Sequence, residues 1–124
     1  MKDSRPINLN LLTIRFPITA ITSILHRISG VFLFLLIPLL LWMLQMSLNS
    51  HWNYLEVLDY LDHPFFKLII FALLASLIYH FFAGVRHLLM DAHIGESKEG
   101  GRIGSIAILI VSCACLILAG VWLW

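Results

Sequence analysis

The sequence contains few charged residues and no basic run. Only 12% of its 124 residues are Asp, Glu, Lys or Arg, about half the share that is usual in soluble domains, and 60% are hydrophobic. The net charge of +1 gives no indication of nucleic-acid binding. A soluble domain of this size would leave much of that apolar surface in water. The composition therefore predicts one domain, residues 1–124, that is embedded in a membrane.

Cysteine is also scarce, and the two cysteines present, Cys113 and Cys115, lie inside an apolar stretch. Positions i and i+2 of a helix point in different directions, so this pair is poorly placed to share a metal ion. We interpret both cysteines as small apolar residues that fill space. No internal repeat or low-complexity segment is visible, which leaves the apolar stretches and the polar residues among them as the informative features.

Three apolar stretches are long enough to cross a bilayer as helices, which takes about 20 residues each. They cover about residues 22–48, 64–90 and 103–124. The first is too long for the core of a signal peptide, so we expect it to be retained as a span. The fold is therefore predicted to be all-α, with three transmembrane helices.

Proline, histidine and glycine mark the predicted helix ends. Pro17 is expected to open the first helix, and Asp62 or His63 to cap the second, with Pro64 in its first turn. Pro38 is expected to kink the first span, which membrane helices tolerate. The loop before the third span is expected to contain four glycines, Gly95, Gly100, Gly101 and Gly104.

Basic residues are distributed unevenly between the two ends of the predicted spans. Seven lie before the first span or around the loop between the second and third: Lys2, Arg5, Arg15, Arg27, Arg86, Lys98 and Arg102. Only Lys67 lies near the other loop, which is acidic. The positive-inside rule then places the N-terminus in the cytoplasm and the C-terminus outside. Tryptophans mark the outer ends of the spans, at Trp42, Trp52, Trp122 and Trp124.

Six polar residues interrupt the apolar pattern in two groups. The first group opens the first span and consists of Ser23, His26 and Arg27. The second closes the second span and consists of His80, Arg86 and His87. Antiparallel spans would bring both groups to one side of the membrane. Ionisable groups near lipid are costly and mark a functional site by default.

His80 is the most deeply placed of these residues, roughly 15 Å of helix from the end of its span. Gly84 and His87 follow on nearly the same helix face. A glycine beside a histidine lets a flat group approach the backbone, and imidazole is an axial ligand of haem iron. The alternative is a histidine that is hydrogen-bonded to a polar group of a neighbouring helix.

Arg27 and His26 are candidates for the propionates of a haem held by His80, because guanidinium groups suit carboxylates. The alternative for Arg27 is a side chain that extends to the interface and sets the topology. Ser23 lies one turn earlier on the same face, and a hydroxyl with a guanidinium could bind a quinone carbonyl.

The remaining polar groups carry weaker indications. Arg86 and Asp91 are either headgroup-facing charges or part of the site, and His87 either contacts a propionate or has no special role. Three other histidines, His51, His63 and His93, are expected to be solvated in loops.

A low-spin cytochrome b needs two axial histidines, which limits the assignment. His80 and His87 share a helix face about 10 Å apart, so they cannot hold one iron from opposite sides. His26 could be the second ligand only if it gave up the propionates. We therefore expect the second ligand to come from another subunit.

Two motifs carry a resemblance to a known family. The first runs from Arg5-Pro6-Ile7-Asn8-Leu9 through Thr13-Ile14-Arg15-Phe16-Pro17 to Ser23-Ile24-Leu25-His26-Arg27-Ile28-Ser29-Gly30. The second is Tyr79-His80-Phe81-Phe82-Ala83-Gly84-Val85-Arg86-His87-Leu88-Leu89-Met90-Asp91. Together they resemble the cytochrome b556 membrane anchor of bacterial succinate dehydrogenase over nearly the whole chain.

The resemblance implies a subunit of succinate:ubiquinone oxidoreductase in the bacterial inner membrane, partnered by a flavoprotein, an iron–sulfur protein and a second anchor. Succinate is oxidised on another chain, and electrons reach ubiquinone through iron–sulfur clusters. It implies that His80 is an axial ligand of haem b, shared with the second anchor, that Ser23 and Arg27 help bind ubiquinone, and that His26 and Arg27 lie near the propionates. A fumarate reductase anchor, or a non-catalytic three-span assembly protein, are the alternatives.

Overall fold

A computed structural model describes residues 14–124. The N-terminal part of the first motif, including Arg5 and Thr13, and the basic residue Lys2 lie outside the described residues. Within the described part the chain forms helices and no strands: α1 Ile18–Asn49, α2 His51–Asp62, α3 Pro64–Asp91 and α4 Lys98–Leu123. Helices α1, α3 and α4 are each long and apolar enough to cross a membrane, which confirms the all-α, three-span prediction.

The predicted ends of α1 and α3 are confirmed. Pro17 is the N-cap residue of α1, and the helix continues through Pro38 without interruption. His63 caps α3, where its Nδ1 atom accepts a hydrogen bond from the backbone N–H of Phe65, and Pro64 occupies the first turn. Proline fits this position because the first turn needs no N–H donor there.

Two sequence predictions about loops are wrong. The segment between the first two spans is a helix, α2, which is capped by the Ser50 hydroxyl and begins at His51 rather than leaving it in a loop. Helix α4 begins at Lys98, so three of the four glycines assigned to the preceding loop are helical. Only Gly95 lies in that loop, with φ of 73°, a left-handed conformation that glycine adopts at no steric cost.

The spans pack as antiparallel neighbours with a core that is partly polar. The buried apolar side chains are Met43, Val57, Leu73, Ala83 and Ile108, and the buried polar ones are Thr22, Ser29, Arg86, Ser105 and Ser112. Many large apolar side chains face outward instead; Phe34 and Val121, for example, are 77% and 76% exposed. A polar, small-residue interior with an apolar exterior is typical of helices that associate in lipid.

Contacts between the helices show which helix ends lie together in the bundle. The hydroxyls of Thr22 in α1 and Ser105 in α4 lie 3.2 Å apart, and the Tyr79 hydroxyl in α3 donates to the Thr22 carbonyl at 2.9 Å. The beginning of α1, the end of α3 and the beginning of α4 therefore lie at one end of the bundle. All four tryptophans lie toward the opposite end of the bundle, as the sequence predicted, and each is at least 48% exposed.

Candidate functional site

His80 is held against α1 by one edge of its ring. Its Nδ1 atom lies 3.0 Å from the Ser29 hydroxyl and 3.2 Å from the His26 carbonyl. The Ser29 hydroxyl donates its own proton to the same carbonyl at 2.7 Å, so it can only accept from His80. Both neighbours of Nδ1 are therefore acceptors, which assigns the proton to Nδ1 and leaves the lone pair on Nε2.

Gly30 makes this close approach possible. A Cβ atom at position 30 would lie 3.1 Å from Cε1 of His80, which is shorter than ordinary van der Waals contact. The glycine thus lets the imidazole ring lie directly on the backbone of α1. Ser29 and Gly30 lie within the first motif, but no sequence pattern indicates their contacts with His80.

His26 lies between His80 and His87. Its ring stacks on that of His80 with a centroid separation of 4.1 Å and an interplanar angle of 22°, and lies 5.0 Å from the ring of His87. Its Nε2 atom is fully enclosed beside Gly84, with no hydrogen-bond partner within residues 14–124. The flat group that approaches Gly84 in this structure is therefore the His26 ring.

The stacking bears directly on iron ligation. Two axial ligands must direct nitrogen atoms at one iron from opposite faces of the macrocycle. Rings stacked face to face at 4.1 Å leave no space for a macrocycle between them. In this arrangement His26 and His80 cannot ligate the same haem iron. Residues 14–124 also contain no group of three or more His, Cys, Asp or Glu residues arranged to hold a metal ion.

Ser23 and Arg27 lie one helical turn apart on α1, next to His26. Ser23 is half-buried and Arg27 is exposed. The structure thus gathers His26, His80, Gly84 and His87 into one cluster, with Ser23 and Arg27 on the part of α1 that contributes His26.

Arg86 is not the headgroup-facing charge that the sequence left open. It is only 8% exposed, and its Nη2 atom donates to the Gly101 carbonyl of α4 at 3.0 Å. Gly104 lies against the guanidinium, since a Cβ atom there would be 3.2 Å from Nε. Asp91, by contrast, ends α3 in an exposed position. Of the predicted loop histidines, His93 lies in an exposed turn, where its Nδ1 atom is 2.8 Å from Oε2 of Glu96.

Fold and site together define a class: an all-α membrane protein with three spans and a histidine cluster near one end of the bundle. Residues 1–119 match the family described as succinate dehydrogenase/fumarate reductase transmembrane subunit. The chain belongs to this family.

Individual relatives align over nearly their whole length. The chain is 41% identical to a succinate dehydrogenase cytochrome b556 subunit of Coxiella burnetii, with 100% of both chains covered. It is 32% identical to the cytochrome b556 subunit of Paracoccus denitrificans, over 94% of this chain and 90% of the relative. A cytochrome b560 subunit of Marchantia polymorpha is 34% identical, over 94% of this chain and 88% of the relative.

Proposed function

We propose that this chain is the membrane anchor of a succinate:ubiquinone oxidoreductase that binds haem b through His80 and forms part of the ubiquinone site. The observation that carries the proposal is the state of the His80 ring. Its Nδ1–H has two acceptors on α1, Ser29 and the His26 carbonyl, so that Nε2 keeps its lone pair for a metal. Metal-binding histidines commonly donate their second ring N–H to a protein acceptor in this way.

The surroundings of His80 are compatible with haem b. A haem iron would require one nitrogen from this chain, which His80 supplies. The enclosed Nε2 atom of His26 lacks a partner within residues 14–124, and a buried polar atom without a hydrogen bond is costly. A haem propionate held near His26 and Arg27 would remove that cost once the His26 ring turned away from Gly84, where its Nε2 atom is enclosed. When bound, haem b would supply an acceptor and donor of single electrons.

Ser23 and Arg27 are proposed to bind the ubiquinone headgroup. A hydroxyl and a guanidinium both donate hydrogen bonds to a carbonyl oxygen, and a positive charge stabilises the negative charge that develops during reduction. The partial exposure of Ser23 and the exposure of Arg27 leave both side chains accessible to a ligand. His87 is proposed to complete the haem pocket on the α3 side, and Gly84 to contribute by receiving the His26 ring.

We further propose three partner subunits: a second anchor, an iron–sulfur protein and a flavoprotein. The second anchor would supply the other haem ligand, and the flavoprotein would oxidise succinate. The stacking of His26 on His80 supports an external second ligand. In the bacterial inner membrane, the N-terminus would be cytoplasmic and the C-terminus periplasmic. The basic side chains support this orientation, because those described lie near the beginning of α1, the end of α3 and the beginning of α4, except Lys67.

The family also includes fumarate reductase subunits, which run the same chemistry in the opposite direction. The relatives described above, at 41%, 32% and 34% identity, are named as succinate dehydrogenase subunits, which favours succinate oxidation. Membership of a family of respiratory subunits likewise favours this function over that of a separate assembly protein.

The haem assignment is tested by the reduced-minus-oxidised spectrum of the purified complex. His80→Ala should abolish or shift the b-type band, because on this proposal the ring would supply a nitrogen ligand to the iron. His51→Ala, which removes an exposed histidine at the opposite end of the bundle, should leave the band unchanged. A band that is identical in both variants and in the wild type would contradict the assignment.

The quinone assignment is tested by comparing two electron acceptors. Ser23→Ala and Arg27→Leu should lower ubiquinone reduction by roughly tenfold or more, because each removes a donor placed for the reduced oxygen. Succinate oxidation by an artificial acceptor should be unaffected. Arg15→Leu, which removes an exposed charge from the same end, is the control. Equal loss of both activities would indicate misassembly and count against the site.

A further inference from the structure

A cavity of about 680 Å³ lies at the end of the bundle where α1 begins, apart from the histidine cluster. The beginning of α1, the end of α3 and the first turns of α4 form its walls. Its lining includes three basic residues, Arg86, Lys98 and Arg102, and one acidic residue, Glu96. The proposed haem and quinone residues do not line it.

Arg86 is the observation that points to a ligand. Its side chain lines the cavity although the residue is only 8% exposed, which means that it is 92% buried. Within residues 14–124 it has no carboxylate partner, its only hydrogen bond goes to the Gly101 carbonyl, and its Nε atom is enclosed without a partner. An uncompensated buried charge is costly, so a guanidinium in this position favours an anion beside it.

The rest of the lining adds positive potential. Together with Arg86, Lys98 and Arg102 outweigh the single carboxylate of Glu96, which leaves an excess of two positive charges in the lining. Lys98 also begins α4, a helix of 26 residues whose N-terminal dipole favours an anion. Guanidinium groups and helix N-termini are recurring binding groups for phosphate.

The lining also has an apolar part, which is formed by Pro17, Ile18, Met90 and Ile106, beside the uncharged polar side chains of Thr19 and Ser97. A free inorganic anion would gain nothing from the apolar part, whereas a lipid places an acyl chain next to its phosphodiester. We propose that this cavity binds a phosphate group and that the phosphodiester of an anionic membrane phospholipid is its source.

Native mass spectrometry of the purified full-length chain with its partner subunits tests the proposal. The complex is titrated with phosphatidylglycerol, with phosphatidylcholine, whose phosphate is offset by its own cation, and with inorganic phosphate. Wild type should retain one phosphatidylglycerol per chain. Arg86→Gln should weaken that binding at least tenfold, and Arg102→Gln about fivefold, as expected for one basic residue near an anionic lipid.

Arg15→Gln is the matched control, because it removes a positive charge from the same end but outside the cavity lining. It should bind phosphatidylglycerol like the wild type. Equal weakening by Arg15→Gln, or no bound phospholipid or phosphate in the wild type, overturns the proposal. Binding of inorganic phosphate alone upholds the phosphate site and assigns free phosphate as its source. If Arg86→Gln does not assemble, Arg102→Gln decides between these outcomes.

Discussion

Gly30→Ala is the most direct test of how α1 positions the His80 ring. The new Cβ atom would lie 3.1 Å from Cε1 of His80. The His80 ring would have to move away from α1 by about 0.3 Å to reach the 3.4 Å at which ordinary van der Waals contact begins. Both hydrogen-bond acceptors of Nδ1 belong to α1, so this movement lengthens both bonds. The longer one, to the His26 carbonyl at 3.2 Å, would reach about 3.5 Å, where little of a hydrogen bond remains.

Loss of one such bond costs about 1 kcal/mol, which corresponds to roughly a fivefold weaker hold on a metal bound to Nε2. Protein stability should change in the opposite direction, since alanine is favoured over glycine inside a helix by roughly 0.5–1 kcal/mol. We therefore expect a stably inserted chain with a reduced haem-to-protein ratio and a shifted b-type band. Haem content, spectrum and thermal stability are measured on the same preparation.

Gly120→Ala is the matched control, because its Cβ atom would meet Phe71 at 3.5 Å, an ordinary contact far from His80. It should leave haem content and spectrum unchanged. A Gly30→Ala complex with wild-type haem content and spectrum would refute the inference that the α1 backbone sets the position of the ring.

Three further substitutions test polar contacts elsewhere in the bundle as well as at His80. Ser29→Ala should shift the haem potential and spectrum without loss of assembly, while Ser47→Ala, whose hydroxyl only bonds its own helix, should not. Ser105→Ala should lower thermal stability by about 1 kcal/mol, since its buried hydroxyl bonds Gly101 and contacts Thr22; an unchanged melting temperature would contradict that role. Lys67→Gln should change stability by less than about 0.5 kcal/mol in the same melts, because its partner Asp62 is 88% exposed.

The sequence predicted the spans well because the length of an apolar run is a local property. Helix α2 was missed for the opposite reason: it has only 12 residues, and its acidic side chains suggested a loop. Its N-cap Ser50 was the available signal. The glycines of α4 were misassigned because helix propensity disfavours glycine, whereas close packing against Arg86 favours it at position 104.

The site was predictable in its membership but not in its contacts. Periodicity placed His80, Gly84 and His87 on one face of α3, and the structure brings His26 to that face. The hydrogen-bond partners of His80 depend on the axial register between α1 and α3, and no local sequence pattern specifies that register. Ser29 was therefore overlooked, and the burial of Arg86 could not be distinguished from an interfacial position.

One of the polar contacts that hold the helices in register, between Ser29 and His80, also orients the proposed iron ligand. Between apolar helices in lipid, burial of apolar surface does not select one register over another. In this chain the register is selected by hydrogen bonds at fixed positions along the helices. They join Thr22 to Ser105, Tyr79 to the Thr22 carbonyl, and His80 to Ser29. A one-residue displacement of α1 would break all three bonds and remove the acceptors of the His80 Nδ1–H. On the proposed function, this chain therefore orients its ligand nitrogen through its own packing, and a partner has to supply only the opposing ligand.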